Sequence, residues 1–225
     1  MTFLRWNRLP ALGAGLLLLA CGGDGGGGTG PCSPGPATQL AKNGGDAQSW
    51  YVNNPLPTPL TVIVRDANNC PVPGIVVNWA VGSGGGGVNP AQSTTNSSGV
   101  TSTVDSVGVA SPQVVRATAA ALPTQDFTAT AGTPPPSGAV DVRDNNFNPT
   151  NVVVQSGGDV TWTRTGVNQH NVTFTSGPAT PAKIFEADLA TGNATSRTRT
   201  LTAVGTYTYT CTNHAGMNGT VSVVH

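Results

Sequence analysis

The choice of aliphatic and polar residues is the feature that most restricts how this chain can fold. From residue 21 onward it contains 26 Val and 30 Thr, but only 6 Leu, 2 Lys and 1 Glu. Strands favour the β-branched residues Val and Thr, whereas helices favour Leu, Lys and Glu. The composition therefore predicts an all-β fold and argues against a helical or mixed α/β architecture.

The charge composition argues against one broad class of partner. Ten basic and ten acidic side chains give a formal net charge of zero, and the basic residues do not cluster along the chain. A nucleic-acid-binding surface needs a basic patch that neutralises phosphates. We therefore expect no nucleic-acid partner.

The beginning of the chain is typical of an export signal. Arg5 and Arg8 precede an apolar run, residues 9–20. This run is too short to span a membrane as a helix. The run ends in Leu-Leu-Ala-Cys, which resembles a bacterial lipobox. That resemblance implies a lipoprotein signal peptide over residues 1–20 and a lipid on Cys21. The alternative is an ordinary secretory signal with a cysteine nearby.

The segment after the signal predicts a tether and a location. Residues 21–36 are rich in glycine, as expected of a flexible linker. We expect the protein to be anchored by its lipid in the bacterial cell envelope, facing the periplasm or the cell surface, where disulfides form. Gly22, rather than Asp, follows Cys21, which favours the outer membrane. The lipid would be the only membrane contact.

Two strand-rich regions follow, separated by a proline-rich linker. Residues 37–132 and 139–225 each contain short runs rich in Val and Thr, bounded by Gly and Asn clusters. This is the pattern of a β-sandwich. Residues 133–138, Thr-Pro-Pro-Pro-Ser-Gly, predict a semi-rigid extended spacer. The sequence therefore predicts two β-sandwich domains in tandem.

The first region resembles a bacterial Ig-like domain of the invasin and intimin type. The resemblance rests on residues 59–66, on Val-Asn-Trp at 77–79 and on Thr-Asn-Ser-Ser-Gly at 95–99. It implies an Ig-like sandwich with Trp79 in its core. The region contains no histidine, and its carboxylates are scattered along the sequence. We expect a structural spacer, or a module that binds a partner through its loops.

The second region carries rare residues at a regular spacing. Cys211, His214 and Met217 follow one another at intervals of three, and Met217 is the only methionine after residue 1. With this composition, chance would produce about 0.0005 such motifs in the chain. His170 is a fourth candidate, upstream of the motif.

Strand periodicity predicts that two of these residues point into the core. Alternate residues on a strand share a face. Both candidates share a face with apolar or aromatic residues: His170 with Val172 and Phe174, and Cys211 with Tyr207 and Tyr209. Two separate strands are thus expected to end with a metal-binding side chain on the buried side.

The types of these side chains favour copper. Two imidazoles, one thiolate and a weak thioether form the ligand set of a blue-copper site. A structural zinc site usually takes four Cys or His, and a c-type haem needs Cys-x-x-Cys-His. The predicted ligands of one type 1 copper ion are therefore His170, Cys211, His214 and Met217. Taken singly, each residue also fits a purely structural role, as a turn histidine, a core methionine or a buried thiol.

With these residues in view, residues 139–225 resemble a plastocyanin-like cupredoxin, most closely the amicyanin kind with its short Cys-x-x-His-x-x-Met loop. Further matches are Phe-Asn-Pro at 147–149, Gly-Gly-Asp-Val-Thr-Trp at 157–162 and Gln-His-Asn-Val at 169–172. The resemblance implies a Greek-key β-sandwich that binds one copper ion and transfers electrons.

The resemblance also implies a role for each site residue. The equatorial ligands would be His170, Cys211 and His214, and the axial ligand would be Met217. Asn171 would tie the strand of His170 to the ligand loop through Thr212. Asn213 stands where many relatives have Pro or an aromatic residue, a difference that concerns the reduction potential rather than copper binding.

The four cysteines divide into three roles. Cys21 is assigned to the lipid and Cys211 to copper, which leaves Cys32 and Cys70. Cys32 lies just before the first region and Cys70 lies within it. In an oxidising compartment we expect a disulfide between them. It differs from the inter-sheet disulfide of antibody domains, because Trp79 follows both cysteines.

The histidine count restricts the function. Only His225 remains after the two candidate ligands, which is too few for a trinuclear or type 2 copper centre. It is also the one histidine left that could act as a base in serine-type catalysis. We therefore expect a single-electron carrier, not an enzyme, that exchanges electrons with redox proteins. The alternative is an adhesion or scaffold lipoprotein, or a copper-storage protein, with a cupredoxin-like domain.

Overall fold

The computed structural model describes residues 32–185, residue 189 and residues 196–225. The predicted signal peptide, Cys21 and most of the predicted tether lie outside the described residues. The regular secondary structure described consists of strands, arranged in four sheets, as the Val and Thr content predicts. The described residues contain no helix that is long and apolar enough to cross a membrane.

The N-terminal sandwich, residues 37–132, is built from two sheets. Its strands are β1 (Ala37–Gly44), β2 (Gln48–Tyr51), β3 (Leu60–Asp66), β4 (Val76–Ser83), β5 (Gly86–Asn89), β6 (Gln92–Thr94), β7 (Val100–Val107), β8 (Gln113–Thr118) and β9 (Gln125–Gly132). One sheet has the order β1-β3-β7-β5 and the other β2-β9-β8-β4-β6. Trp79 is 3% exposed and its ring lies 5.9 Å from that of Phe127, within this core.

A disulfide closes the start of the N-terminal sandwich. It joins Cys32 and Cys70, the two cysteines that the sequence leaves after lipid and metal are assigned. Asp66, at the end of β3, accepts hydrogen bonds there from the backbone N–H groups of Gly35, Asn68 and Cys70. These bonds hold the pKa of the Asp66 carboxyl below its usual value. The charged carboxylate therefore organises the turn beneath the disulfide.

The C-terminal sandwich is also built from two sheets. Its strands are β10 (Ser137–Val142), β11 (Phe147–Asn148), β12 (Asn151–Gln155), β13 (Gly158–Arg164), β14 (Thr173–Ser176), β15 (Ser196–Leu201), β16 (Gly205–Thr210) and β17 (Asn218–Val224). The sheet orders are β11-β10-β13-β15 and β12-β17-β16-β14. The pairs β10–β13 and β12–β17 are parallel, and the remaining pairs are antiparallel.

The proline-rich segment is shorter than the sequence predicts. Strand β10 begins at Ser137, which pairs with Asp159, so the last two residues of the predicted linker belong to the C-terminal sheet. Prolines have no N–H group, but their carbonyl groups still accept hydrogen bonds. Pro135 accepts one from Gln155 and Pro136 one from Asp159. The segment is thus attached to the C-terminal sandwich.

An aromatic cluster fills the C-terminal core beneath the predicted ligands. The Trp162 ring lies 5.7 Å from that of Phe174 and 5.5 Å from that of Tyr209, edge to face in both cases. Tyr209 pairs across the sheet with Gly219, where a Cβ atom would lie 2.3 Å from the tyrosine ring. Glycine at this position therefore lets Tyr209 lie flat against β17. The packed rings fix the strand that leads to Cys211.

Candidate metal centre

His170 and Cys211 lie at neighbouring strand ends. His170 is buried and precedes β14. The segment between them is held by two reciprocal backbone hydrogen bonds between Val172 and Ile184, both 3.0 Å. Cys211 follows the last residue of β16 and is 2% exposed. Strands β14 and β16 pair antiparallel, with Thr173 opposite Thr210. This pairing carries the two side chains to the same end of the sheet.

The loop from Cys211 to Met217 consists of two successive turns. The N–H of His214 donates to the carbonyl of Cys211 at 3.3 Å, and the N–H of Met217 donates to that of His214 at 3.2 Å. The N–H of Cys211 then donates to the carbonyl of Met217 at 2.9 Å and closes the loop. Gly216 has φ +79°, a conformation that favours glycine. The spacing of three thus corresponds to a repeated backbone turn.

Three of the four predicted ligands present their donor atoms to one point. The Sγ atom of Cys211 lies 3.8 Å from Nδ1 of His170 and 3.5 Å from Nδ1 of His214. One ligand atom from each of the three residues lies within 4.8 Å of the other two. Met217, the fourth candidate, is 1% exposed at the end of the same loop. His214 is only partly buried, so one imidazole reaches the protein surface.

The donor spacing fits one metal ion. Typical bonds of about 2.0 Å to nitrogen and 2.3 Å to sulfur, at trigonal angles of about 120°, separate nitrogen from sulfur by about 3.7 Å. The two observed nitrogen–sulfur distances, 3.5 and 3.8 Å, lie on either side of this value. A thiolate with two imidazoles and a nearby thioether is the donor set that suits copper. The residues present therefore fit a mononuclear copper ion.

Hydrogen bonds connect Asn171, which follows His170, to Thr212, which follows Cys211. The backbone N–H of Asn171 lies 3.5 Å from Sγ of Cys211, within reach of a weak hydrogen bond to sulfur. Its side-chain oxygen accepts the N–H of Thr212 at 3.1 Å, and its amide donates to the Thr212 hydroxyl at 2.9 Å. The same amide donates to the side chain of Asn213 at 3.2 Å. These bonds place the two predicted supporting residues, Asn171 and Thr212, beside the candidate ligands.

Burial keeps His170 in the form that can bind metal. The pKa of His170 lies below its ordinary value, mainly because burial disfavours the charged imidazolium. Electrostatic interactions with His214 and Arg164 also lower the pKa of His170, whereas the carboxylate of Asp144 raises it. A neutral imidazole has a free lone pair on one nitrogen, which a metal ion requires.

Two charged residues near His170 were not predicted from the sequence. Asp144 lies in the turn after β10, and Arg164 ends β13 and is 7% exposed. Neither belongs to a motif with regular spacing, and each comes close only through sheet pairing. The pKa of Asp144 is lowered, chiefly by the N–H of Asn168. No pattern in the sequence distinguishes these residues from the other charged residues of the chain.

A β-sandwich that gathers two imidazoles and a thiolate at one end, with one imidazole near the surface, defines a mononuclear metal-binding protein. Residues 137–224 match the family model of copper binding proteins, the plastocyanin/azurin family. Amicyanin-alpha of Methylorubrum extorquens is 38% identical over 90 residues, which cover 39% of this chain and 74% of that protein. Through this region, the chain belongs to the plastocyanin/azurin family, whose members bind a single copper ion.

Solved structures of copper proteins are also similar to part of the chain. Oxidised plastocyanin from Dryopteris crassirhizoma is 31% identical, with a TM-score of 0.34, and the match covers 38% of this chain and 99% of that one. An amicyanin mutant in its reduced state is 29% identical, with a TM-score of 0.31, and the match covers 39% of this chain and 82% of that one.

Proposed function

We propose that this protein is a lipid-anchored type 1 copper protein that carries single electrons in the bacterial cell envelope. The observation that carries the proposal is the convergence of Sγ of Cys211 with Nδ1 of His170 and Nδ1 of His214. These three residues would be the equatorial ligands of the copper ion, and Met217 the axial one. When bound, copper would supply a one-electron couple between Cu(I) and Cu(II).

The surrounding protein would keep electron transfer to and from the copper ion fast. His170 and Cys211 are buried, and their strands are fixed by sheet pairing and by the packed rings of Trp162 and Tyr209. A rigid site changes little in geometry between oxidation states, which reduces the reorganisation that each transfer needs. The partly exposed ring of His214 would be the point at which electrons enter and leave. Redox proteins of the envelope are the expected partners.

The remainder of the chain would locate this centre. Cys21 would carry the lipid, the glycine-rich residues 21–36 would form the tether, and the Ig-like sandwich would act as a spacer. The cysteine pair Cys32 and Cys70 supports this assignment, since their disulfide needs an oxidising compartment. We further propose that the protein is not an enzyme, because the electron-carrier role needs no substrate site.

Copper loading tests this function. The oxidised, copper-loaded protein should be intensely blue or green, and ascorbate should bleach the colour reversibly. Cys211→Ser should lose the intense band, because that band needs the thiolate. His225→Asn is the matched control, since this histidine is exposed and lies outside the candidate site. Bound copper without a reversible couple would contradict the electron-carrier function and would favour copper storage or a scaffold role.

A further inference from the structure

The outer nitrogen of His170 lacks a hydrogen-bond partner. The side chain is 0% exposed, and within the described part of the chain nothing bonds to its Nε2 atom. Nδ1 faces Sγ of Cys211, so a metal bound there leaves the proton on Nε2. A buried N–H group without an acceptor costs free energy. The site therefore needs an acceptor on this side of the ring.

One carboxylate lies on that side. The Oδ1 atom of Asp144 is 3.9 Å from Nε2 of His170, just beyond hydrogen-bond distance. A small rotation of either side chain would close the gap. Arg164 and His214 are the other charged or titratable groups that act on His170. The charged guanidinium of Arg164 has only donors, so it cannot accept this proton. Nδ1 of His214 faces Sγ of Cys211 and would bind the metal, so it is not free to accept the proton either.

The neighbouring loop holds the carboxylate in place. Oδ1 of Asp144 accepts the backbone N–H of Val167 at 2.6 Å and that of Asn168 at 2.9 Å. A Cβ atom at Gly166 would lie 2.3 Å from the same oxygen, so glycine is needed for the loop to approach so closely. The loop that leads to His170 is thus folded around Asp144, which links the carboxylate position to the ligand position.

We propose that Asp144 is a positioning residue for the copper site: its carboxylate accepts the Nε2–H of His170 while Nδ1 binds copper, which orients the imidazole and favours Cu(II) over Cu(I). This inference rests on the proposed function. Carboxylate–histidine–metal arrangements fix the tautomer of the histidine and raise its basicity as a ligand. A negative charge close to the metal also stabilises the higher oxidation state. The buried Arg164 acts in the opposite sense, so Asp144 would offset it.

The first experiment does not depend on copper. Nitrogen-15 NMR of the metal-free protein at pH 8 reports which nitrogen of neutral His170 carries the proton. We expect the Nε2–H form in the natural protein, with slow exchange of that proton, and a mixture of forms with faster exchange in Asp144→Asn. An Nδ1–H form in the natural protein would overturn the inference. The tautomer of the natural protein is read without bound metal, so a negative result here is separate from any failure of the proposed function.

The second experiment measures the effect on copper. Asp144→Asn retains an oxygen for the N–H groups of Val167 and Asn168 but removes the charge, so the loop should keep its fold. We expect a higher reduction potential with the intense visible band retained. The matched control is Asp159→Asn. Asp159 is an exposed, hydrogen-bonded carboxylate near the start of β13, whereas Arg164, close to His170, lies at the end of that strand. Equal potential shifts in the two variants, or no shift in either, would contradict the inference.

Discussion

Asn171 and Thr212 are joined by two hydrogen bonds that connect the strand of one candidate ligand to the loop of the others. The Asn171 side-chain oxygen accepts the Thr212 N–H at 3.1 Å, and its amide donates to the Thr212 hydroxyl at 2.9 Å. Asn171 itself is fully buried. The relative positions of His170 and Cys211 therefore depend on a side-chain bridge as well as on sheet pairing.

Asn171→Ala should destabilise the C-terminal sandwich. The change leaves the Thr212 N–H without its partner, and losing a partly buried hydrogen-bond network costs about 1–3 kcal/mol in free energy of unfolding. Denaturant unfolding followed by aromatic fluorescence measures the loss. Thr175→Ala is the control, because it removes an exposed hydroxyl pair with Thr208. If both variants lose the same free energy, the bridge has no special role.

Met217→Gln should lower the reduction potential while copper stays bound. A thioether is a soft, neutral and weak donor that favours Cu(I), whereas an amide oxygen is harder and favours Cu(II). The stronger bonds from His170, Cys211 and His214 should keep the ion in place. Protein-film voltammetry with visible spectra measures both properties. An unchanged potential would show that Met217 is not the axial ligand.

Asp105 should make the N-terminal sandwich less stable as the pH rises. Burial raises the pKa of this carboxyl to about 6, although the amide of Gln113 donates to it. The folded state therefore binds a proton that the unfolded chain has released, and the stabilisation present below about pH 4 is lost as the pH rises through about 6.

Asp105→Asn should remove this pH dependence. Asparagine retains an oxygen for Gln113 and does not ionise. We expect the free energy of unfolding of the natural protein to fall, relative to the variant, between pH 4 and pH 7. Denaturant titrations at pH 4, 5, 6 and 7 measure the difference. A constant difference across this range would mean that Asp105 does not titrate there.

Cys21→Ser should release the protein from the membrane fraction, because the proposed lipid attaches to that thiol. Cell fractionation followed by immunoblotting measures the distribution. Cys32→Ser is a useful comparison, since it removes a disulfide partner but leaves the proposed anchor. Equal membrane retention of the natural protein and Cys21→Ser would contradict lipidation at this position.

Local features of this protein could be predicted from the sequence because they depend on near neighbours in the chain. The preference of Val and Thr for strands predicts the all-β fold, and alternation predicts the buried side chains of Tyr207 and Tyr209 on β16. His170 and Cys211 lie just outside β14 and β16, and Asn171 is buried beside His170, so alternation does not explain the burial of His170. The intervals of three between Cys211, His214 and Met217 correspond to two successive turns closed by backbone hydrogen bonds. Residue types alone then favour copper over zinc or haem.

Contacts between distant segments were decided by the tertiary structure. Only the pairing of β14 with β16 brings Nδ1 of His170 within 3.8 Å of the Cys211 thiol. Asp144 approaches His170 because the turn after β10 meets the loop after β13, and no local pattern encodes that meeting. Such contacts depend on sheet order and register, which arise from packing the whole sandwich. The sequence by itself thus determined the donor types, while the three-dimensional fold determined their geometry and the charges that surround them.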